Sequence, residues 1–309
     1  MNYALITSAR NEESYIRKTL ESVLAQTQPP DCWVIVDDGS TDRTAEIIED
    51  YAARVPWISL IRRVNRPNRH FGGKAEAVNS GFKFLEAAKL DVIGNVDADI
   101  SFEPGLMEFL MHQFGADRRL GVAGVPYIEG DFDSARDSFE GENFVAGQLQ
   151  MFRRECFEEI GGYAKSRAGG IDWIAVMSAR MKGWKVRSFA EKRFIHHRMM
   201  STAEHGILAA YFSYGQKDYY LGGSPLWEMF RIAFRATKKP RLIGAAAMLL
   251  GYCHAALTRM ERPISIELAR FHRAQQLNKL KNIFKSLASL KKVDNFHLER
   301  LENSQTKYS

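Results

Sequence analysis

The sequence predicts an α/β fold, a mostly parallel central sheet flanked by helices, with a helical C-terminal appendage. Three observations carry this expectation. Short apolar runs alternate with segments of helical apolar spacing four times within residues 1–100. Polar and acidic residues collect directly behind those runs, where ligands bind in sheets of this kind. Near Trp227 the chain changes character and becomes apolar and basic by turns.

Each element follows from local pattern. Tyr3 to Thr7 ("YALIT") reads as the first strand, and Ile16, Leu20, Val23 and Leu24 fall on one face of the helix behind it. Trp33 to Val36 ("WVIV") is the second strand; Ser40 to Asp42 offer caps for a helix bearing Ile47, Ile48 and Tyr51. Ile58 to Ile61 forms the third, before a polar loop and a helix from about Lys74 to Ala88, and Val92 to Val96 is the fourth. Beyond Gly121 the alternation stops, and a second half is expected to build against the same sheet. There Phe152 to Tyr163 ("FRRECFEEIGGY") reads as a helix ended by Gly161 and Gly162, and Asp172 to Lys182 as another. Ile266 to Leu290 reads as a basic amphipathic helix.

With 309 residues, 45% hydrophobic and 26% charged, the chain can bury a full core, and disorder is not indicated. Its three cysteines, Cys32, Cys156 and Cys253, are far apart and form no Cys-x-x-Cys pair. That disfavours a disulfide framework or a zinc site and fits a reducing cytoplasm. "MNYALITSAR" has no basic segment leading into a long apolar run, so no secretory signal is expected. Charge is uneven: Glu228 to Ser309 holds 16 Lys and Arg against 6 Asp and Glu, whereas Met1 to Trp227 holds 27 against 31. A basic tail on an acidic body points to an anionic surface, although a solvated helical face has the same composition. Nucleic acid is disfavoured as the partner, because no aromatics interleave with the basic residues on a strand platform. No Gly-x-Gly-x-x-Gly follows the first strand, which disfavours a dinucleotide cofactor.

Chemistry-bearing residues sit behind the strands. Ser8, Arg10, Asn11 and Glu12 follow the first, Asp37 and Asp38 the second, and Asp97 and Asp99 the fourth. Two carboxylates one residue apart, where a buried strand surfaces, are expected to meet something cationic, most simply a divalent metal with its own anionic ligand. Turn or cap carboxylates are the alternative. Lys74 lies where "HFGGKAEAVN" passes from a glycine loop into a helix, so an ammonium and backbone amides could face a phosphate there.

In order and spacing, "ALITSARNEESYIRKTLESVLAQT", "WVIVDDGSTDRTAEI", "GGKAEAVNSGF", "NVDADI", "FRRECFEEIGGY" and "IDWIAVMSARMKGWKVR" resemble the inverting glycosyltransferases of family 2, with a GT-A fold. The resemblance runs from Ala4 to His197. It implies a GT-A domain over 1–225, with a nucleotide-binding half at 1–100 and an acceptor half at 101–225, and an appendage over 226–309. It also implies that Asp38 contacts the nucleotide and that Ser8, Arg10 and Glu12 line the same cleft. Asp99 would hold Mn²⁺ or Mg²⁺, with Asp97 on the metal or on the ribose and sugar. Either His196 or His197 could complete the site, and His197 is included among the metal ligands. Asp172 matches the position of the base; Ile171 stands where many relatives have a further acid. "YGQKDYYLG" keeps Gln216 of the Gln-x-x-Arg-Trp pattern of processive synthases but has Tyr219 and Tyr220 for Arg and Trp, which speaks against processive polymerisation.

The expected function is metal-assisted transfer of a sugar, from a donor expected to be UDP-linked, to a hydroxyl of a glycan or lipid-linked acceptor in envelope or exopolysaccharide assembly. A catalytically silent nucleotide-sugar-binding scaffold or regulator is the alternative, and binding alone needs no base. Leu242 to Leu257 ("LIGAAAMLLGYCHAAL") lacks formal charge and is flanked by Lys238, Lys239, Arg241, Arg259 and Arg262. At 16 residues it is short for a bilayer span. A peripheral location at the cytoplasmic face of the membrane is therefore expected, with a helix buried on the body as the alternative.

Overall fold

The computed structural model describes residues 1–63, 71–137, 141–166, 169–198, 206–237 and 240–288. Between Arg198 and Met199 the chain divides into two compact units.

In the first unit β1 (Tyr3–Ala9), α1 (Ile16–Leu24), β2 (Cys32–Asp37), α2 (Thr44–Ala52), β3 (Ile58–Arg62), α3 (Phe71–Phe84) and β4 (Val92–Val96) alternate as expected. After them come β5 (Ile100–Phe102), α4 (Leu106–Ala116), β6 (Leu120–Gly124), β7 (Tyr127–Glu129), β8 (Phe132–Asp133) and α5 (Ser134–Asp137). The unit ends with β9 (Leu149–Arg153), α6 (Arg154–Glu159), α7 (Ile171–Met181), β10 (Lys185–Ser188) and β11 (Phe194–His196).

Seven strands form the main sheet in the order β10-β6-β9-β4-β1-β2-β3. Its pairs are parallel except around β9, which runs antiparallel to both β4 and β6. Here the expectation of a helix over Phe152 to Tyr163 is corrected. The first two residues belong to β9, and only Arg154–Glu159 is helical. Leu149 to Phe152 are all buried, so β9 has no exposed face and a short run of this kind does not distinguish strand from helix. The stop at Gly161 and Gly162 holds, with φ of 75° and 73°.

Both faces of the sheet are covered, which explains the continuous apolar runs. Leu5, Trp33 and Ile35 pack with Ile16, Leu20, Ile48, Leu110 and Phe114 on one side. Ile6, Val34 and Val36 pack with Ala75, Val78, Phe157 and Val176 on the other. Gly94, in the middle of β4, leaves no room for a side chain: a Cβ there would lie 2.3 Å from Met151 Sδ and 2.7 Å from Leu5 Cδ2. Four short strands make a second sheet, β5-β11-β7-β8, in which β11 is antiparallel to β5 and parallel to β7.

The second unit contains α8 (Ile207–Tyr220), α9 (Pro225–Ala236), α10 (Arg241–Leu257) and α11 (Ile266–Ala288). The boundary expected at 225/226 is thus corrected to 198/199, because α8 belongs with α10. A Cβ on Gly215 would come 1.9 Å from Met248 O, and one on Gly251 would come 1.9 Å from Phe212 O. Backbones that approach this closely bind the two helices into one body. On α10 the buried positions are Gly244, Ala245, Met248, Gly251 and Ala255. Leu242, Ile243, Leu249, Leu250 and Leu257 are exposed. No helix among the described residues is long and apolar enough to cross a membrane. The basic residues beyond 288, the segment 64–70 where a polar loop is expected, and Lys238 and Lys239 lie outside the described residues.

Candidate active site

Parallel register brings the carboxyl ends of β1, β2 and β3 together, with Ala9 beside Asp37 and Asp37 beside Arg62. Asn11, at φ 55°, locks the first two loops to each other. Its N–H donates to Ser40 Oγ at 3.1 Å, and its Oδ1 accepts from the Thr41 N–H at 2.8 Å. Ser8 and Arg10 flank this junction and are half-buried. Glu12 is buried; its N–H donates to Thr44 Oγ1 at 2.7 Å and its carboxylate accepts from Arg198.

The two acids of "VDDGS" divide their work. Asp37 Oδ1 accepts from the N–H of Ser40 at 3.1 Å and from its hydroxyl, closing the turn. Asp38 is left for the cleft. Its Oδ1 accepts from Arg63 Nη1 at 2.9 Å, and Gly73 approaches so closely that a Cβ would lie 2.8 Å from Oδ2. Arg63 also reaches Glu76 at 3.1 Å. The sequence reading missed Arg63, although it follows β3 at the same sheet end as the residues it did select.

Asp97 and Asp99 face different partners. Lys74, in the first turn of α3, places Nζ 2.5 Å from Asp97 Oδ1 and 3.4 Å from Gly147 O. Burial pulls the Lys74 ammonium's pKa down, but Asp97, Asp172 and Asp99 outweigh it and hold the pKa above the ordinary lysine value. Burial pushes the Asp97 carboxyl up, against the opposing pull of Lys74. Asp97, expected on a metal or on the ribose and sugar, is therefore the counter-ion of Lys74 in this structure.

Asp172 lies in the first turn of α7, whose N-cap is Gly170 at φ 74°. The capping alternative for Asp172 therefore falls away. Its carboxylate packs on Gly147, where a Cβ would come 2.6 Å from Oδ2. Gly147 O in turn accepts from Asn95 Nδ2 at 2.8 Å, joining this loop to β4. Tyr163 and Gln150 brace the helix start, with the phenol 2.5 Å from Gln150 Oε1 and Gln150 Nε2 3.4 Å from Asp172 O.

Around Asp99 the expected histidine changes. His196 Nε2 lies 3.5 Å from Asp99 Oδ2, and Arg198 Nε lies 3.3 Å from the same oxygen. His197 turns away: its ring lies 2.8 Å from Ser101 Oγ and 3.4 Å from Lys18 Nζ, and it stacks beside Tyr15. Strand parity is the reason: His197 directly follows β11 and its N–H still donates to Asp99 O at 2.9 Å, so it and His196 point to opposite sides. Burial raises the Asp99 pKa, but His196, Arg198 and Lys74 together bring it below the usual carboxylate value. His196 is raised, its burial outweighed by Asp99 and Glu129. Asp99 and His196 thus converge as one oxygen and one nitrogen donor; the carboxylate suits Mn²⁺ or Mg²⁺, and the imidazole favours the transition ion Mn²⁺ of the two. Among the described residues no group of three His, Cys, Asp or Glu could hold a metal, so such an ion would take its remaining ligands from phosphate oxygens and water.

The family model for glycosyl transferase family 2 matches residues 4–163. A poly-beta-1,6-N-acetyl-D-glucosamine synthase of Staphylococcus epidermidis is 32% identical over 173 residues, which cover 56% of this chain and 37% of that protein. A beta-monoglucosyldiacylglycerol synthase of Synechocystis sp. is 31% identical over 203 residues, covering 59% of this chain and 41% of that one. The chain spans about half or less of the length of these curated relatives. Among solved structures, a mannosyltransferase of Pyrobaculum calidifontis in complex with GDP-Man and Mn²⁺ superposes with a TM-score of 0.55 at 19% identity, over 93% of this chain and 83% of that one. TarS 1–349 of S. aureus in complex with UDP-GlcNAc gives 0.55 at 13% identity, over 94% and 93%. At these identities the two structures establish a shared fold.

Proposed function

The chain belongs to glycosyl transferase family 2 and has the GT-A fold, and on that premise we propose that it is an inverting glycosyltransferase. It moves a sugar from a nucleotide-sugar donor, UDP-linked, to a hydroxyl of a glycan or lipid-linked acceptor. One observation carries the reading: Asp172 sits on Gly147 within electrostatic reach of Lys74, which itself pairs with Asp97. A binding module needs no such acid.

Each group has a task. Asp38, held by Arg63, accepts hydrogen bonds from the nucleoside. Lys74 and Arg198 supply positive charge for the diphosphate. Asp172 takes the proton of the acceptor hydroxyl as its oxygen bonds to the anomeric carbon; the bond from that carbon to the diphosphate oxygen breaks, and its electron pair leaves with the diphosphate. A Mn²⁺ or Mg²⁺ ion held by Asp99 and His196 would neutralise charge on that leaving group. UDP-GlcNAc in one solved neighbour supports a UDP-linked donor, GDP-Man in the other supports a nucleotide sugar more broadly, and the Mn²⁺ beside GDP-Man supports the ion.

Hydrolysis of a panel of nucleotide sugars, with Mn²⁺ and with chelator, tests the proposal. One donor is expected to be hydrolysed in Mn²⁺ and spared in chelator. Tight binding of a donor without hydrolysis or transfer to any acceptor would favour the silent scaffold instead.

We also infer a peripheral location at the cytoplasmic membrane face, held by the second unit. Leu242, Ala246, Leu249, Leu250, Cys253 and Leu257 recur at helical spacing on α10 and are all exposed, with Arg241 and Arg259 at its ends. An exposed apolar stripe between cations suits the boundary of an anionic bilayer. The full chain is expected to float with phosphatidylglycerol vesicles at low salt and to detach when Leu249 and Leu250 are replaced by Glu. A wild-type chain that stays off such vesicles would defeat this location.

A further inference from the structure

We propose that Glu129 is a positioning residue for His196, fixing the ring so that Nε2 is the atom presented to Asp99 and to an ion held there. The inference rests on the proposed function for its consequence, but its geometry is independent of it. Strands β7 and β11 run parallel, with Tyr127 beside Phe194 and Ile128 beside Ile195. One residue further on each strand stand Glu129 and His196, so the pairing delivers the two side chains to the same place. Glu129 Oε2 lies 2.6 Å from His196 Nδ1, and on the ring's far side Nε2 lies 3.5 Å from Asp99 Oδ2. Both side chains are largely withdrawn from water, at 13% and 6% exposure. The Tyr127 ring, from the same strand as Glu129, meets the imidazole edge-on at 6.2 Å.

The chemistry of the pair is directional. An ionised carboxylate only accepts, so Glu129, at 2.6 Å, requires a proton on Nδ1, whereas Asp99, at 3.5 Å from Nε2, holds that nitrogen only loosely. In the neutral ring Nε2 is then left with its lone pair, the form that binds a metal. Without Glu129 the proton is free to move to Nε2, which would then present a donor to the ion instead of a ligand. Carboxylates that accept from the remote nitrogen of a metal-bound histidine contribute in this way, and their loss costs about 10- to 100-fold in metal affinity.

The test uses the full chain and two independent readouts. In ¹⁵N spectra recorded where the ring is neutral, wild-type His196 is expected to carry its proton on Nδ1; a proton on Nε2 with a bare Nδ1 would overturn the proposal. Electron paramagnetic resonance of Mn²⁺ with UDP present gives the second readout. Glu129→Leu is expected to weaken Mn²⁺ binding about 10- to 100-fold. Glu129→Gln, whose amide oxygen still accepts from Nδ1–H, is expected to restore most of the affinity. The combined Glu129→Leu and His196→Ala change should bind no more weakly than His196→Ala alone, because Glu129 acts through that ring. Unchanged Mn²⁺ binding in Glu129→Leu, or losses that simply add, would sink the positioning role. Wild-type protein that binds UDP but no Mn²⁺ would instead defeat the metal reading, and the tautomer would still decide the role of Glu129. Should Glu129→Leu not fold, the isosteric Gln variant and the wild-type tautomer carry the test.

Discussion

Asp172→Asn is expected to lower the transfer rate about 10²- to 10⁴-fold, a barrier increase of about 3 to 5 kcal/mol, while nucleotide affinity stays near the wild-type value. Asn has nearly the same volume, so the tight contact with Gly147 and the start of α7 are preserved. What it loses is the ability to take a proton from the acceptor hydroxyl. Removing the charge also withdraws one of three carboxylates that support the Lys74 ammonium, but Asp97 remains 2.5 Å from Nζ and keeps it protonated and in place. Donor binding should therefore survive. Transfer kinetics paired with calorimetric nucleotide binding separate the two effects. Transfer near the wild-type rate would show that another group is the base.

The residues that were legible in the sequence share a physical reason, and so do those that were not. The first four strands and the sheet end carrying Ser8 to Glu12, Asp38, Asp97 and Asp99 could be read because apolar runs are separated by helices with a clear face. β9 could not, because it is buried on both faces and runs into α6 without a turn. The second sheet consists of strands of two or three residues, too short to show a period. That hid the parity which points His196 inward and sends His197 to Ser101 and Lys18. Long-range pairs such as Arg198 with Glu12 and Glu129 with His196 have no local signature at all. The unit boundary escaped for a related reason: composition changes at Trp227, but Gly215 fits against Met248 only once α8 and α10 are packed.

Asp99→Ala is expected to reduce turnover by about 10³-fold or more, equivalent to about 4 kcal/mol, and its binding signature matters more than the loss itself. In the wild type the Asp99 carboxylate is the counter-charge for His196 and Arg198, at 3.5 and 3.3 Å. Alanine removes that negative charge and leaves the cations facing the cleft, with Arg198 still anchored on Glu12. In chelator, UDP affinity should therefore be retained or increased, since a diphosphate meets less repulsion and an Arg198 relieved of one of its two carboxylates. The further gain that Mn²⁺ gives the wild-type protein should disappear, because the oxygen donor paired with His196 is gone. A misfolded variant would lose nucleotide binding under both conditions, so the pattern distinguishes loss of an ion site from loss of structure. If Asp99→Ala instead turned over at the full wild-type rate in chelator, Asp99 would be no metal ligand, and the paired carboxylates would need another explanation.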